Sequence, residues 1–567
     1  MPKLRFGLLK KIYSSEHFIP LSLIVIISAC YHIFLIFQFP GFNNDDYYVY
    51  YTVSHAPHPF CLNPQEEFFM FVKPTTYFYF WITNAIIGNN PFWLKIFNLW
   101  AINSLIIAIY GFTVSIKKYF NYKIEISAIF FACLFFASHP DTVWSVVWLS
   151  NINEILVTLF YGISLIFLLK SRNLYPALIL SFTFFFVSAL FKQHALHYPF
   201  LVVLLLIWRR KTLSDNEKKN LIVIIVLSGL VVIGHAIINY LYFIRLSDLS
   251  LMENLWKKPF SITGTIFYLV LPLFGETVYY FFITHNSFVL VIVIGALLLI
   301  IFYLLNNRAE IRKFRFKPIL YLLILTVVIF IPRIFLPAGS RINVIQLFWL
   351  IPALCFIPLS RRSLITLLIF LISLNIIADR HMIKTLGQFN SRLIDAASAF
   401  DRIIQTNKGK YYIVACPYMK MIPYIAVCSD SEILRESDRI IYSPIKVGTL
   451  DFNTSKFPGI AITASGSVIT ESIIGDDPGK TFLRPEFMPS DSIVSKKPDS
   501  IRGYSSISFI PKYSLTDSTI SFIWYDGFSW KKLQRNNWLS ILLQVRKDIS
   551  ISIWSEYYGT KSIESKK

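Results

Sequence analysis

The run FIPLSLIVIISACYHIFLIFQF at residues 18–39 carries no charged side chain. It is longer than the stretch of about 20 residues that a helix needs to cross a bilayer. Lys3, Arg5, Lys10 and Lys11 precede this run, and no small-residue cleavage site is evident, so we predict a retained first span. The whole chain agrees: 55% of its 567 residues are hydrophobic, 15% are charged, and the mean hydropathy is +0.55. These values argue against an ordinary soluble enzyme and against a disordered protein.

Further apolar runs predict an α-helical polytopic membrane protein. With the first run they make about eleven spans, the others being 92–114, 124–138, 153–170, 174–191, 195–208, 221–243, 287–305, 318–336, 342–359 and 363–378. A cytoplasmic N-terminus places every basic cluster between the runs in the cytoplasm, as the positive-inside rule requires. The segment 262–283 is interrupted by Pro272, Gly275 and Glu276, and a span there would put the next basic loop outside. We predict it as a re-entrant or interfacial helix on the outer side.

The odd number of spans places the rest of the chain outside the cytoplasm. Residues 1–378 form the predicted transmembrane domain, with a long first outer loop at 40–91, and residues 379–567 form an extracytoplasmic domain. A helix near 384–406, the strand-like segment KGKYYIVACP and several turn sequences predict a mixed α/β fold for it. No eukaryotic tail module is recognisable, so the expected location is a bacterial inner membrane.

The net charge of +21 resides mostly in the spans and their loops. It therefore indicates positive-inside loops and contact with anionic lipid, and a membrane rather than nucleic acid is the expected partner. The six cysteines lack the Cys/His spacing of a zinc site, so no metal ligand set is predicted.

The first outer loop holds the strongest candidates for chemistry, because carboxylates beside a bilayer are costly and tend to be functional. Asp45 and Asp46 are adjacent, and two like charges raise the pKa of one of them, which suits a general base. The alternative is a solvated turn just after residues 40–41. Glu66 and Glu67 follow in the same loop and are candidate contacts for an acceptor.

Four cations are candidates for binding a phosphate at the outer surface: Lys73, Lys192, His194 and Arg341. The alternative for them is snorkelling to the headgroups, or an ordinary place at the membrane rim. His139 and Asp141 open another outer loop and are further candidates, with an aromatic belt and a helix break as the alternative.

These pieces together resemble the GT-C fold glycosyltransferases, multi-spanning enzymes that use a polyprenyl-phosphate-linked sugar. The protein O-mannosyltransferase-like and TMTC-like branch is the most similar. Four phrases carry the resemblance in the family's order: Asp45-Asp46-Tyr47, Lys73-Pro74 with Tyr79-Phe80-Trp81, SHPDTVWSVVWLSNINEILVTLFYGISLIFLL at 138–169, and FKQHALHYPFLVVLLLIW at 191–208. A weaker match lies at 339–341. Lys73 stands where many members have Arg, Asn151 and Asn153 replace an Arg, and Gln193 replaces a Glu.

The resemblance implies that Asp45 is the general base that deprotonates an acceptor hydroxyl, with Asp46 orienting the acceptor or sharing that role. The hydroxyl would attack the anomeric carbon with inversion, while Lys73, Arg341 and the two weaker cations stabilise the leaving phosphate. The implied partners are a polyprenyl-phosphate sugar lipid and an acceptor glycan, protein or lipid. No cofactor is implied, and metal dependence is left open because Asp141 or Glu276 could serve as a second acidic site.

Two other classes of protein fit a basic polytopic chain. A polysaccharide polymerase or ligase also uses lipid-linked sugars, but usually places its large loop late in the chain, whereas the long acidic loop here comes first. A lipid or glycan transporter without transferase activity would show inverted repeats and polar residues in broken helices. Neither feature is recognisable in the sequence.

Overall fold

The structure is a computed structural model, and it describes residues 16–42, 46, 74–88, 90–119, 124–170, 175–209, 213–245, 344–356 and 361–406, together with strands between 411 and 544. The helices of the described part are α1 Phe18–Gln38, α2 Pro74–Ile87, α3 Pro91–Tyr119, α4 Ile126–Ala137, α5 Pro140–Val147, α6 Ile152–Lys170, α7 Tyr175–Phe191, α8 Tyr198–Arg209, α9 Asp215–Arg245, α10 Val344–Cys355 and α11 Arg361–Thr406. Short 3-10 turns at Leu149–Asn151 and Gln193–His197 precede α6 and α8.

Five of these helices are long and apolar enough to cross a membrane: α1, α3, α6, α9 and the first half of α11. A sixth candidate is the pair α4 and α5, bent by 49° at the break between them. The described part of the chain is therefore that of a helical membrane protein. The predicted spans 287–305 and 318–336, and the segment 262–283, lie outside the described residues, so the total of eleven stays a prediction.

Local sequence signals explain where two of the helices begin. Ser214 and Glu217 form a reciprocal capping box before α9: the Glu217 carboxylate accepts from the Ser214 N–H at 2.8 Å, and the Ser214 hydroxyl accepts from the Glu217 N–H at 3.3 Å. At α5, Pro140 occupies the first turn and the His139 ring accepts from the Asp141 N–H at 3.2 Å. The same proline separates α5 from α4 and produces the bend.

The burial pattern separates inner from outer helices. Every residue of α10 is buried, and α10 packs against α3, α4 and α6. Helices α1 and α9 instead expose large apolar side chains such as Ile19, Phe37, Leu230 and Ile237. A helix that is apolar on its exposed face is stable in lipid rather than in water, so α1 and α9 lie at the perimeter of the bundle.

Hydrogen bonds bring several helix ends together on one side of the bundle. The contacts are Lys95 Nζ to the Phe39 carbonyl at 2.8 Å, Thr76 Oγ1 to the Phe191 carbonyl at 2.9 Å, and His32 Nε2 to the Ala137 carbonyl at 2.9 Å. At the opposite end of α4, Arg361 and Glu125 form an ion pair at 3.0 Å. The ends of α1, α4 and α7 thus share one side with the starts of α2 and α3.

The described residues divide into two compact units, one made of the helices up to Lys384 and the other of Asp46 with the chain from Thr385 onward. The second unit contains the strands β1 Tyr411–Ala415, β2 Ile440–Tyr442, β3 Ile445–Val447, β4 Gly459–Ser465, β5 Val468–Ile474, β6 Thr481–Leu483, β7 Ile493–Asp499, β8 Gly503–Phe509, β9 Ile520–Tyr525, β10 Trp530–Leu533 and β11 Ile541–Gln544.

These strands form three sheets, with orders β10-β9-β1-β2, β11-β4-β5-β8-β7 and β3-β6. In the first sheet β1 pairs in parallel with both β2 and β9, and Ile413 lies opposite Ile441 and Phe522. The other pairs are antiparallel. The first sheet therefore has parallel strands at its centre and an antiparallel strand at one edge, which makes it a mixed sheet. Its strand β1 lies within the strand-like segment KGKYYIVACP. The extracytoplasmic placement of this unit stays a prediction.

Candidate active site at one end of the helix bundle

A buried ion pair joins the start of α6 to the end of α7. Lys192, the residue after α7, contacts Glu154 in the first turn of α6, and the Glu154 side chain has no exposed surface. Lys192 keeps 16% of its side chain exposed. A carboxylate buried in this way is tolerated only with a cation beside it. The pair therefore holds one ammonium at the bundle end, partly open to its surface.

A second polar pair occupies the break between α4 and α5. His139 and Asp141 are 0% and 1% exposed, and the His139 Nδ1 atom lies 3.7 Å from Asp141 Oδ2. Because Nδ1 accepts from the Asp141 backbone N–H, it has no proton to donate to the carboxylate, and the helix cap is what orients the ring. The helix break thus places an imidazole and a carboxylate side by side inside the protein.

A third buried carboxylate belongs to α11. Asp379 has no exposed surface and accepts a hydrogen bond from the Tyr31 hydroxyl of α1 at 2.5 Å. It is also close enough to Asp141 for the two carboxyl groups to interact electrostatically. Next to Tyr31, the buried His32 bonds the Ala137 carbonyl at the end of α4. Tyr31 and His32 therefore tie α1 to both α11 and α4 at the level of the break.

Two further hydrogen bonds connect α5 to the turn before α6. The Asn151 amide donates to the Ser145 hydroxyl at 3.0 Å, and that hydroxyl donates to the Asp141 carbonyl at 3.0 Å. All three residues are buried. The segment that carries His139 and Asp141 is thereby fixed relative to the start of α6, where Glu154 holds Lys192.

Helix α2 continues the aromatic phrase of the first outer loop and packs on α3. The Tyr79 hydroxyl donates to the Asn98 side-chain oxygen at 2.5 Å, and Phe80 is buried. Burial raises the pKa of Tyr79 above its ordinary value, so the phenol stays a neutral donor across the physiological range. The aromatic segment of α2 is thus held in a fixed position beside the end of the bundle.

The sequence-predicted residues divide into those that the structure describes and those that it does not. Asp46 is fully buried, which argues against a solvated turn at this position. His139, Asp141 and Lys192 lie at the same end of the bundle, in the contacts given above. Outside the described residues are Asp45, Glu66, Glu67, Lys73 and Arg341, and of His194 only the backbone, in the 3-10 turn, is described. Their site roles stay predictions.

Three residues of this region were not singled out from the sequence. Tyr31 and Asp379 are 348 positions apart, and nothing in either apolar run marks them as partners. Lys95 is fully buried in α3 and donates to the Phe39 and Gly41 carbonyls, at 2.8 and 2.5 Å. A lysine inside a predicted span is itself a signal, because intramembrane charges are rare and functional or structural.

Among the described residues, no group of three or more His, Cys, Asp or Glu side chains is arranged to hold a metal ion. Comparisons with known protein families, with curated proteins and with solved structures find no match to this chain. The class that the described part defines is therefore that of a helical membrane protein with a buried charged cluster at one end of its bundle.

Proposed function

We propose that this protein is an integral membrane glycosyltransferase that moves a sugar from a polyprenyl-phosphate-linked donor to a hydroxyl acceptor on the outer face of the membrane. The observation that carries the proposal is the gathering of His139, Asp141, Glu154 and Lys192 at one end of the bundle. Two of the four phrases that resemble GT-C glycosyltransferases contain these residues. Charged groups buried at such cost in an apolar bundle favour a functional site over a rim of snorkelling side chains.

In the proposed reaction, the oxygen of the acceptor hydroxyl attacks the anomeric carbon of the sugar from the face opposite the phosphate. The bond between that carbon and the phosphate oxygen breaks, and the hydroxyl proton passes to the carboxylate of Asp45 or Asp46. Polyprenyl phosphate leaves with the electron pair. The buried position of Asp46 supports this role, because a carboxylate kept inside an apolar protein is more often functional than one on the surface.

Lys192 is the described cation best suited to the leaving phosphate. Its ammonium is charged, is held by Glu154, and remains partly exposed at the bundle end. Preorganised cations contribute to catalysis because they need no rearrangement when negative charge develops. Lys73 and Arg341 would add to the same phosphate site, and His139 with Asp141 would line the acceptor side.

The test is transfer of labelled sugar from polyprenyl-phosphate donors, measured in membranes that contain the wild-type protein or a variant. We expect Asp46→Asn, or Asp45→Asn, to reduce the rate by about 10²–10⁴-fold, the usual contribution of a general base. Asp215→Asn is the matched control, because Asp215 is an exposed aspartate at the start of α9 that pairs with Lys218. Full activity in both Asp45 and Asp46 variants would refute the base assignment.

One observation favours the transporter alternative. The bend between α4 and α5 is a broken helix with a buried carboxylate at the break, a feature that transporters use for coupling ions. A transporter would move a lipid-linked sugar across reconstituted vesicles without forming a new glycosidic bond. Movement of the donor with no glycosylated product would support this alternative and exclude the transferase.

A further inference from the structure

Gln346 is an anomaly in the most deeply buried helix of the bundle. It lies in the first turn of α10, between Ile345 and Leu347, and has no exposed surface. Neither its side-chain oxygen nor its side-chain nitrogen has a hydrogen-bond partner among the described residues. A buried amide without partners is costly, and such a group in a native protein calls for an explanation.

Trp349 shows the same property one turn further along α10. Its indole N–H is buried and has no acceptor within the described part of the chain. Residues three apart lie on the same face of a helix, so the amide of Gln346 and the indole of Trp349 are neighbours. Together they present three N–H donors and one acceptor oxygen on a single face of α10.

This face adjoins the turn that carries Lys192. The Trp349 ring lies 6.2 Å from the Tyr161 ring, and the Tyr161 hydroxyl bonds the His197 ring at 2.7 Å, in the 3-10 turn that follows Lys192. Tyr161 is two helical turns along α6 from Glu154, and the ring of Trp349 also contacts Phe112 of α3. The Trp349 indole is therefore set beside aromatic rings, about two helical turns along α6 from the Glu154–Lys192 pair.

The direction of α10 follows from the elements that precede and follow its neighbours. Helix α10, which ends at Cys355, packs against α4, and both Cys355 and Cys133 of α4 are buried. Gln346 is nine residues earlier in α10, or roughly 13 Å along its axis. The chain after α10 returns to Arg361, which pairs with Glu125 at the other end of α4, so α10 runs antiparallel to α4. Gln346 thus lies in the half of α10 that is farther from the Arg361–Glu125 ion pair.

We propose that Gln346 and Trp349 bind the sugar of the lipid-linked donor, with the amide bridging sugar hydroxyls and the indole N–H donating to another. This inference rests on the proposed function and names the residues that recognise its donor sugar. A sugar hydroxyl both donates and accepts, so neighbouring hydroxyls satisfy the two ends of one amide. The ring of Trp349, with Tyr161 beside it, is the type of side chain against which the C–H face of a sugar packs.

The experiment compares binding of two lipids to the full-length protein in lipid nanodiscs. One lipid is polyprenyl phosphate, and the other is the same lipid carrying glucose, galactose or mannose. The wild-type protein is expected to bind at least one glycosylated lipid about tenfold more tightly than the bare lipid, the gain of one or two net hydrogen bonds. Gln346→Met should abolish this preference and leave the affinity for polyprenyl phosphate unchanged.

The two proposals fail in different ways. A wild-type protein that shows no preference for any glycosylated lipid would overturn the proposed function and the sugar site with it. A Gln346→Met protein that keeps the full preference would overturn the sugar site alone. Trp349→Phe, which keeps a ring and removes the N–H, should lower the preference severalfold and provides the test if Gln346→Met does not fold.

Thermal stability separates a binding role from a structural one. Because Gln346→Met removes a buried amide that has no hydrogen-bond partner in the described part of the chain, we expect an unchanged or higher melting temperature. Asn98→Leu is the control: Asn98 is also a buried amide, but it accepts from Tyr79, so its loss should lower the melting temperature. An equal decrease in both variants would show that Gln346 serves the fold and would overturn the proposal.

Discussion

The ion pair of Glu154 and Lys192 carries a carboxylate that no water reaches. Removing one partner of such a pair leaves the other charge in an apolar surrounding, which typically costs about 3–5 kcal/mol. Lys192→Met should therefore lower the free energy of unfolding by an amount in this range. The double variant Glu154→Gln with Lys192→Met should recover much of the loss, because no buried charge remains.

A double-mutant cycle from thermal unfolding in detergent measures this prediction. The exposed pair Asp215 and Lys218 at the start of α9 is the control, since an exposed pair contributes about 1 kcal/mol or less. Additive effects of the two single substitutions at Glu154 and Lys192 would contradict the prediction and indicate that the two groups do not interact.

The hydrogen bond from Tyr31 to Asp379 gives a second prediction for single residues. Tyr31→Phe keeps the ring but removes the hydroxyl that donates to Oδ2 of Asp379. The loss of this donor should lower the free energy of unfolding by about 1–3 kcal/mol. Tyr175→Phe provides the control, because the Tyr175 side chain is 75% exposed. If both variants melt at the wild-type temperature, the Tyr31 bond does not stabilise the fold.

The sequence revealed some of these residues and could not reveal others. His139, Asp141, Glu154 and Lys192 are polar residues at the ends of apolar runs, so their place at helix ends follows from hydropathy. Asp379 follows directly on the predicted last span, 363–378, so hydropathy alone places it at the start of the outer domain. In the structure α11 continues without a break, and a partner 348 residues away keeps Asp379 inside the bundle.

Among the elements, the contact of α6 with α10 depends on a glycine, Gly162. A Cβ atom at Gly162 would lie 2.5 Å from Cε2 of Phe348, whose ring is fully buried and stacked on Phe112. Because the ring has no free space to move into, Gly162→Ala should destabilise the protein by about 1–3 kcal/mol.

Gly229→Ala is the matched control for this substitution. Gly229 lies within α9, and no atom comes within 4 Å of a Cβ added there. Alanine in a helix interior is favoured over glycine by about 0.5–1 kcal/mol, so Gly229→Ala should be neutral or stabilising. Melting temperatures of the two variants decide the matter, and equal values would mean that α10 can move away from α6.

The elements also show what hydropathy can and cannot predict. The apolar runs that predict spans at 18–39, 92–114, 153–170 and 221–243 coincide with helices α1, α3, α6 and α9, because a long uncharged run has no other stable form in lipid. The sequence indicates the bend after α4 only through the alternative interpretation of His139, in which the helix breaks at Pro140. Whether the break is buried or lies in a surface loop depends on the packing of α5 into the bundle. That packing depends on contacts between residues far apart in the sequence, which hydropathy does not reveal.

For the whole molecule, the predicted topology is open to a direct test. The C-terminus should lie outside the cytoplasm and the N-terminus inside it, because an odd number of spans separates them. In a bacterial host, a green fluorescent protein fused to the C-terminus should be dark and an alkaline phosphatase fused there should be active. N-terminal fusions should behave in the opposite way, and a fluorescent C-terminal fusion would overturn the predicted orientation.

The difference between inner and outer helices has a consequence for biosynthesis. Helices α4, α8 and α10 each have 12 residues, which span about 18 Å, well short of the about 30 Å of a hydrocarbon core. The long helices α1, α3, α6 and α9 can be released into lipid one by one as the ribosome delivers them. The short α10, whose surface is wholly covered by protein, has no stable state in lipid alone. We expect it to be retained at the insertion machinery until α3, α4 and α6 are in place to cover it, so that the interior of the bundle is completed after its perimeter.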